Sequence, residues 1–284
     1  MDKSIAQTVP VLMYHHVTPK GGSLSCSVRN FEAQMKYLAK HEFTTLSAEQ
    51  FAGFLQGQAI PRRSVLLTFD DGYLNNFVYA HPILKKYNQH ALMFLITGLM
   101  QEGEPRPIMG SGDDLPECPG HHECKQRIIE GRADEVMLRW SEVKAMRESG
   151  TFEFHSHTHT HIRWDLHENK ADKNQLIHDD LRQSQEQLAI HLDINSNHLC
   201  WPQGYFDPDY IQVAQELGFK HLYTTEAYGF NLPHGPAEHI YRIAARNKGG
   251  PWLLHRLWWA RHLRWGQWYN EHKLKKKQRR LSKR

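Results

Sequence analysis

The sequence predicts an α/β protein with a parallel β-sheet, and three observations support this fold class. Apolar runs at 9–14, 64–69 and 91–96 lack the polar alternation of half-exposed strands, as expected when both faces of a sheet are covered. Helical patterns separate the runs, and a strand–helix–strand order implies parallel pairing through right-handed crossovers. The 284 residues, 40% of them hydrophobic, suffice for one large domain with an appendage.

Capping and punctuation signals place the helices. Ser27 can cap a helix over 28–41, and Ser47 with Gln50 three residues later forms the capping box of a second helix over 48–55. The elements predicted after the second strand are, in order, a helix over 73–88 that Pro82 kinks, the strand over 91–96, a helix over 141–148 that Gly150 ends, a helix over 171–192, a strand over 198–201, a helix that Asp207 caps and Pro208 opens, and strands over 220–225 and 239–245.

The segment 98–134 breaks this rhythm and is rich in Gly, Pro and acidic residues. It is predicted to be an inserted loop over one face of the fold, where long loops often serve as lids or binding walls. Its Cys118, His121, His122 and Cys124 could bind zinc. However, their spacing matches no strong finger pattern, and a surface loop with two reduced thiols is the favoured interpretation.

The stretch 151–161, T-F-E-F-H-S-H-T-H-T-H, begins like a strand and then places histidines at every second position. In an extended chain, residues four apart are separated by about 13 Å, too far for two ligands of one ion. The strand must therefore end near His157, and in the following turn His157 and His161 become neighbours that can clamp a metal. The alternative is a run of ordinary surface or core histidines, or a metal-sticky patch.

Two aspartates follow the strand at 64–69, and Asp70 and Asp71 would repel each other if both were buried and ionised. A metal resolves this conflict when one carboxylate binds it and the other stays free as a base. Asp71 with His157 and His161 makes a His₂-carboxylate set with open positions, which is typical of a catalytic metal. Asp70 could then take a proton from water activated by the metal, and the reaction class is hydrolysis of a carbonyl compound. The alternative for T-F-D-D-G is a capped turn without chemistry.

Three segments now resemble a known family: T-F-D-D-G at 68–72, H-T-x-x-H at 157–161 and W-P-Q-G-Y at 201–205. They are similar to the first three motifs of the carbohydrate esterase 4, or NodB-homology, polysaccharide deacetylases, and the likeness extends over about 10–245. The resemblance implies a distorted (β/α) barrel with its site at the carboxyl ends of the strands. It also implies metal-dependent removal of acetyl groups from N-acetylated sugars.

Carried over by position, the resemblance makes Asp70 the general base and gives a divalent cation, zinc first, the ligands Asp71, His157 and His161. His155 and His159, like His16, could contact these ligands and support them.

The third motif departs from the family pattern. The arginine that tethers the base is missing, and Gln203 replaces the tyrosine, although its backbone N–H can still serve the oxyanion. Trp201 and Tyr205 would line the sugar site.

The general acid is less plainly marked, because His234 and His239 lack the family's Leu-x-x-His setting. The opening V-P-V-L-M-Y-H-H resembles the branch that deacetylates poly-β-1,6-N-acetylglucosamine. That likeness implies His15 as the acid that protonates the leaving amine, with His16 as its neighbour. The alternative is that His15 is only a packed residue at a strand end.

The C-terminal part differs in composition from the rest. From Pro251 onward there are eleven Lys or Arg and one acid, a net charge of +10 against +4 for the whole chain, and five tryptophans. We therefore divide the chain into a deacetylase domain over 1–248 and a helical, Trp-rich basic tail over 249–284. This composition is typical of binding to an anionic membrane surface. The alternatives are a helix packed on the body with a solvated tail, or a less favoured nucleic-acid contact.

Four cysteines are too few for a disulfide scaffold, the first ten residues lack a signal-peptide pattern, and no apolar window is long enough to span a bilayer. A cytoplasmic protein, peripheral at the inner face of the cytoplasmic membrane, is expected. Its expected substrate is an N-acetylated amino sugar in a glycan or lipid-linked glycan of the cell envelope. The alternatives are a hydrolase of another amide on the same fold and an inactive, membrane-associated binding module.

Overall fold

A computed structural model of the chain describes residues 4–166 and 172–281. Its strands are β1 Val11–Tyr14, β2 His16–Thr18, β3 Ser25–Ser27, β4 Thr44–Thr45, β5 Ser64–Asp71, β6 Ala91–Leu95, β7 Phe152–Ser156, β8 His198–Cys200, β9 His221–Tyr223 and β10 Ile243–Ala244. Its α-helices are α1 Val28–Lys40, α2 Ala48–Leu55, α3 His81–Lys86, α4 His121–Ile129, α5 Trp140–Glu148, α6 Lys173–Leu192, α7 Pro208–Glu216, α8 Gly250–Arg261 and α9 Leu263–Leu281.

The main sheet is parallel throughout, in the order β10-β1-β5-β6-β7-β8-β9, with β4 beside β5. A parallel bridge joins Tyr223 of β9 to Ile240, and the same segment continues into β10 beside β1. The segment 240–244 therefore touches both outer strands and curls the sheet into a half-barrel. This confirms the predicted distorted (β/α) barrel.

The interior of the barrel is filled by inward-facing side chains of successive strands, which explains why these strands read as unbroken apolar runs. Leu66, Leu92 and Phe94 are fully buried there. Phe51 and Phe54 of α2 belong to the same cluster and close the end of the barrel at which the strands begin. The opposite end, where the strands finish, is left for the site.

Two predicted elements differ from the structure. The helix expected over 73–88 is divided into a π-helical turn, Asn76–Ala80, and the short α3. Pro82 has no N–H to continue the α-helical ladder and lies in the first turn of α3, where none is needed. The insertion is not only a loop, because it contains α4. The predicted start of the long helix, Ala171, lies outside the described residues.

The C-terminal helices fold against the body. Leu253 and Leu257 of α8 are fully buried in the largest hydrophobic cluster, and Gly250 comes close to the ring of Tyr37 on α1. At the far end of α8, the guanidinium carbon of Arg261 lies 5.0 Å from the ring of Phe43, just before β4. α8 therefore starts at the carboxyl edge of the sheet and ends at the amino edge.

The helix α9 then reverses direction. The rings of Trp259 and Tyr269 are stacked at 5.0 Å, and the guanidinium carbon of Arg256 lies 5.0 Å from the centre of the Tyr269 ring. These contacts are antiparallel, so the basic second half of α9 heads back toward the edge at which α8 begins. The domain boundary at 248/249 stays a prediction. No helix among the described residues has the length and hydropathy needed to cross a bilayer.

Candidate metal and catalytic site

Three predicted ligands meet at the carboxyl edge of the barrel. Nε2 of His157 lies 3.3 Å and Nε2 of His161 lies 3.8 Å from the same Oδ1 of Asp71. One ligand atom from each residue can be chosen so that all three lie within 4.8 Å of one another. The strand β7 ends at Ser156, so the predicted turn after the strand is what makes His157 and His161 neighbours.

Positive backbone φ angles orient these side chains toward one another. Asp71 has φ +76° and Gly72 has φ +85°, and this pair turns the chain away from β5. Thr158 and His161 also have left-handed φ values, +64° and +61°. Such angles cost non-glycine residues about 1–3 kcal/mol each and concentrate at functional sites. The local strain indicates that the fold holds these residues in place against their intrinsic preference.

The donor set fits a divalent cation. Nδ1 of His157 lies 2.7 Å from the carbonyl oxygen of Cys200 and donates to it, so Nε2, which faces Asp71, is the nitrogen that a metal would bind on displacing its proton. Burial, and then the nearby His157, lower the pKa of His161 to about 4, so this imidazole is neutral at pH 7, the form that ligates. Burial alone would raise the pKa of Asp71, but the hydrogen bond from His157 and the neighbouring histidines bring it below its usual range.

A second convergent set in the described chain is Asp70, His157 and Cys200. A cation is disfavoured there, because Nη2 of Arg242 lies 3.0 Å from the Cys200 sulfur and binds Asp70 as well. Among the described residues, no arginine or lysine forms an ion pair with the Asp71 set. It is therefore the better metal site.

The loop that carries His161 is fastened by Asp180 of α6, a residue that sequence analysis missed. Its Oδ1 accepts from the backbone N–H groups of His159 and Thr160 at 2.6 and 2.8 Å, and its Oδ2 accepts from the Thr160 hydroxyl and the Trp164 indole. The sequence did contain a signal for this role, because Asp180 lies between the apolar positions Ile177 and Leu181 on the buried face of the helix.

Asp70 is held by an arginine that the third motif did not predict. Nη1 and Nη2 of Arg242 donate to Oδ1 and Oδ2 of Asp70 at 2.6 and 2.9 Å, and both side chains are buried. Burial raises the pKa of Asp70, but Arg242 and then His15 outweigh it, and the net pKa is below the usual value. The expectation that the base lacks its tether is therefore wrong. Barrel closure places Arg242, the residue just before β10, where its side chain reaches the end of β5.

His15 lies next to this carboxylate. β1 pairs with β5 so that Tyr14 stands opposite Phe69, and the next residue, His15, has its Nε2 3.8 Å from Oδ2 of Asp70. The other two candidates for the general acid, His234 and His239, do not contact Asp70 or the three candidate ligands. His234 lies against Gly57 at the end of α2, and His239 lies 3.3 Å from Glu226.

A cavity of about 480 Å³ opens over these residues. Gln203 lines it in a left-handed conformation, φ +55°, and its backbone N–H has no acceptor among the described residues, as the predicted oxyanion role requires. Trp201 also lines it, and its buried indole N–H has no partner in the described part of the chain. Tyr205 does not line the cavity, contrary to expectation, because its ring lies under the guanidinium of Arg163 at 3.2 Å.

The remaining predicted histidines make contacts away from the three ligands. Nδ1 of His155 lies 2.8 Å from the Ser196 hydroxyl, and Nδ1 of His159 lies 3.0 Å from the Thr97 hydroxyl. His16 is fully buried between Asn75 and His121. The possible zinc ligands of the insertion do not form a convergent set among the described residues.

Comparisons with known proteins concern the family and the fold. The family model described as "Polysaccharide deacetylase" matches residues 57–222. A poly-beta-1,6-N-acetyl-D-glucosamine N-deacetylase of Staphylococcus aureus is 29% identical over 216 residues, which is 73% of this chain and 61% of the relative. The chain thus spans about three fifths of that relative's length.

Two solved structures share the fold. IcaB from Ammonifex degensii superposes with a TM-score of 0.68 at 24% identity, covering 92% of this chain and 97% of its own. The Streptococcus pyogenes deacetylase PplD, in complex with acetate, gives a TM-score of 0.69 at 22% identity, covering 88% and 98%.

Proposed function

Because the chain belongs to the polysaccharide deacetylase family, we propose that it is a metal-dependent hydrolase that removes N-acetyl groups from an amino sugar in a glycan or lipid-linked glycan. One observation carries the proposal. A buried carboxylate, fixed by Arg242, stands next to the Asp71, His157 and His161 set at one edge of the barrel, with His15 on its other side. A base, a metal site and an acid on one cavity are the groups that amide hydrolysis requires.

The proposed metal is a single divalent cation, zinc first, held by Asp71, His157 and His161. Imidazole and carboxylate ligands suit zinc, and three protein ligands leave room for water and substrate. When bound, such an ion polarises a carbonyl and lowers the pKa of water.

The chain's own residues supply the proton transfers. The Asp70 carboxylate takes a proton from the water whose oxygen attacks the acetyl carbon. The backbone N–H of Gln203 donates to the acetyl oxygen as negative charge develops on it. His15, in its protonated imidazolium form, gives a proton to the sugar nitrogen while the carbon–nitrogen bond breaks, and the products are acetate and a free amine.

The direct test is release of acetate from a panel of N-acetylated substrates, with and without a chelator. The panel holds β-1,6-linked N-acetylglucosamine oligomers, lipid-linked N-acetylhexosamines and a small cyclic imide. We expect acetate from at least one sugar substrate, with loss on chelation and recovery on adding zinc. Hydrolysis of the imide alone would reassign the site to another amide, and inactivity on every substrate would contradict the proposal.

We also propose that the tail binds an anionic membrane surface, at the inner face of the cytoplasmic membrane. Three indoles face water, with Trp258 44%, Trp265 57% and Trp268 61% exposed. Exposed lysines at 275 and 276 follow about two turns after Trp268 on α9. Indoles beside cations match an interface of apolar chains and anionic headgroups. All four cysteines are free thiols, as a reducing compartment requires.

A further inference from the structure

The helix α4 of the insertion forms one wall of the catalytic cavity. Its residues His121, Lys125, Ile128 and Ile129 all line that cavity. They recur at helical spacing, so one face of α4 is turned toward the site. The last of these residues, Ile129, is 86% exposed, so this wall presents an apolar side chain to solvent. The proposed reaction uses none of these four side chains.

A chain of hydrogen bonds fixes the proton on His121. The backbone N–H of Val17 donates to Oδ1 of Asn75 at 2.9 Å, so the amide nitrogen of Asn75 must be the group 2.8 Å from Nδ1 of His16. Nδ1 of His16 therefore accepts, and its Nε2–H donates to Nδ1 of His121 at 3.0 Å. Burial keeps the pKa of both imidazoles below the usual value, so both are neutral. The remaining proton of His121 is on Nε2, which has no partner among the described residues.

Lys125 adds a positive charge one turn further along. Its side chain is exposed and lines the cavity, and no carboxylate pairs with it among the described residues. The acids around α4 are engaged elsewhere, because Arg127 on the opposite face binds Glu117, Glu123 and Glu135. Among the described residues, the acids that line the cavity are Asp70 and Asp71, and they already have Arg242 and the histidines as partners.

We propose that His121 and Lys125 bind a phosphate group of the substrate, so that the enzyme acts on a phosphorylated N-acetylated amino sugar rather than on a neutral polymer. A neutral donor beside an unpaired ammonium suits anionic oxygens, and lysine binds phosphate as a point charge. This inference rests on the proposed deacetylase function. The phosphate can come from a soluble sugar phosphate or from a lipid diphosphate, whose apolar chain would meet Ile128 and Ile129.

The test compares three probes on the zinc-loaded full chain: methyl N-acetylglucosaminide, N-acetylglucosamine 1-phosphate and geranyl diphosphate-linked N-acetylglucosamine. Acetate release gives kcat/KM, and calorimetry gives the Kd of the sugar phosphate. We expect a preference of about tenfold or more for the phosphorylated probes, the size of one charge-assisted hydrogen bond. Lys125→Gln should lower that preference about tenfold through KM, and Lys125→Arg should retain it. Lys144→Gln, an exposed lysine on α5, is the matched control.

Imidazole ¹⁵N NMR supplies a readout that a structural role would not give. The His121 signal should show the Nε2–H tautomer at pH 7 and should shift when N-acetylglucosamine 1-phosphate is added. Ile129→Ser should weaken only the geranyl probe if the source is a lipid, and neither if it is a soluble phosphate. Equal kcat/KM for neutral and phosphorylated probes would overturn the inference and leave the deacetylase function standing. Phosphate-dependent binding without any acetate release would contradict the deacetylase function and leave the phosphate site standing.

Discussion

Arg242 and Asp70 are 172 positions apart in the chain, yet the guanidinium makes two hydrogen bonds to the carboxylate, of 2.6 and 2.9 Å. Arg242 also donates to the Thr224 carbonyl and the Thr68 hydroxyl, and it is fully buried. One side chain thus ties the last barrel segment to the proposed base. The contact that closes the barrel therefore also positions the proposed base.

Removing Arg242 should lower the free energy of unfolding as well as the rate of acetate release. Arg242→Met leaves a buried carboxylate without its partner, and we expect a loss of about 3–5 kcal/mol in the free energy of unfolding, measured with urea. In an Asp70→Asn background the same change should cost clearly less, because no charge is left behind. Equal costs in both backgrounds would show that the pair is not coupled.

The two adjacent aspartates should separate metal binding from catalysis. Asp71→Asn should abolish stoichiometric zinc, measured by elemental analysis of the purified protein, because it removes a ligand. Asp70→Asn should keep the zinc and lose most acetate release, because only the proton acceptor is gone. Loss of zinc from both variants, or from neither, would contradict the assigned roles.

Asp180 should control metal affinity from a distance. Asp180→Asn weakens the hydrogen bonds that hold the loop before His161, and residues in this supporting position typically contribute 10–100-fold to metal affinity. Competitive zinc titration against a chromophoric chelator measures the change. Asp179→Asn, the next residue of α6, which binds Gln175 and His178, is the matched control and should leave the affinity as it is.

A stack of two buried histidines should lower the free energy of unfolding in mild acid. The rings of His198 and His221 are stacked at 4.3 Å. Burial lowers the pKa of His221 from 6.5 to about 4, and it also lowers the pKa of His198 well below its usual value. The unfolded chain therefore binds more protons as the pH falls. The stabilisation is fully present above pH 6.5 and is lost progressively toward pH 4.

From the His221 shift alone we expect a loss of about 2 kcal/mol in the free energy of unfolding by pH 5, measured with urea. His221→Phe keeps the ring without the titration and should flatten the dependence. A variant with the same slope as the original chain would exclude His221 as its source.

The exposed indoles should govern binding to vesicles. The double variant Trp265→Ser/Trp268→Ser should bind phosphatidylglycerol vesicles about tenfold or more weakly, because less apolar surface enters the interface. Ile190→Ser, an equally exposed apolar residue on α6, is the control. These substitutions are preferable to deletion of the tail, because Leu253 and Leu257 belong to the core.

Binding should weaken with salt and be slight on phosphatidylcholine. No binding to anionic vesicles would contradict the membrane proposal. Binding to DNA in its place would favour the nucleic-acid alternative.

The sequence was sufficient wherever neighbouring residues decide the outcome. The strand at 64–69, the capping box of Ser47 and Gln50, and the turn that pairs His157 with His161 are set by local pattern and spacing. The candidate ligands could be named from the sequence because only a few residue types bind a divalent metal. Tyr205 was misplaced because its ring packs under Arg163, a contact that motif position does not encode.

The order of residues thus determined a parallel α/β fold, its family and the candidate ligands Asp71, His157 and His161. Tertiary structure alone decided that Arg242 replaces the missing tether, that Asp180 fastens the ligand loop and that α4 turns His121 and Lys125 toward the cavity. The physical reason is range: periodicity and capping act within a few residues, whereas these contacts exist only after the barrel closes and joins segments that lie far apart in the chain.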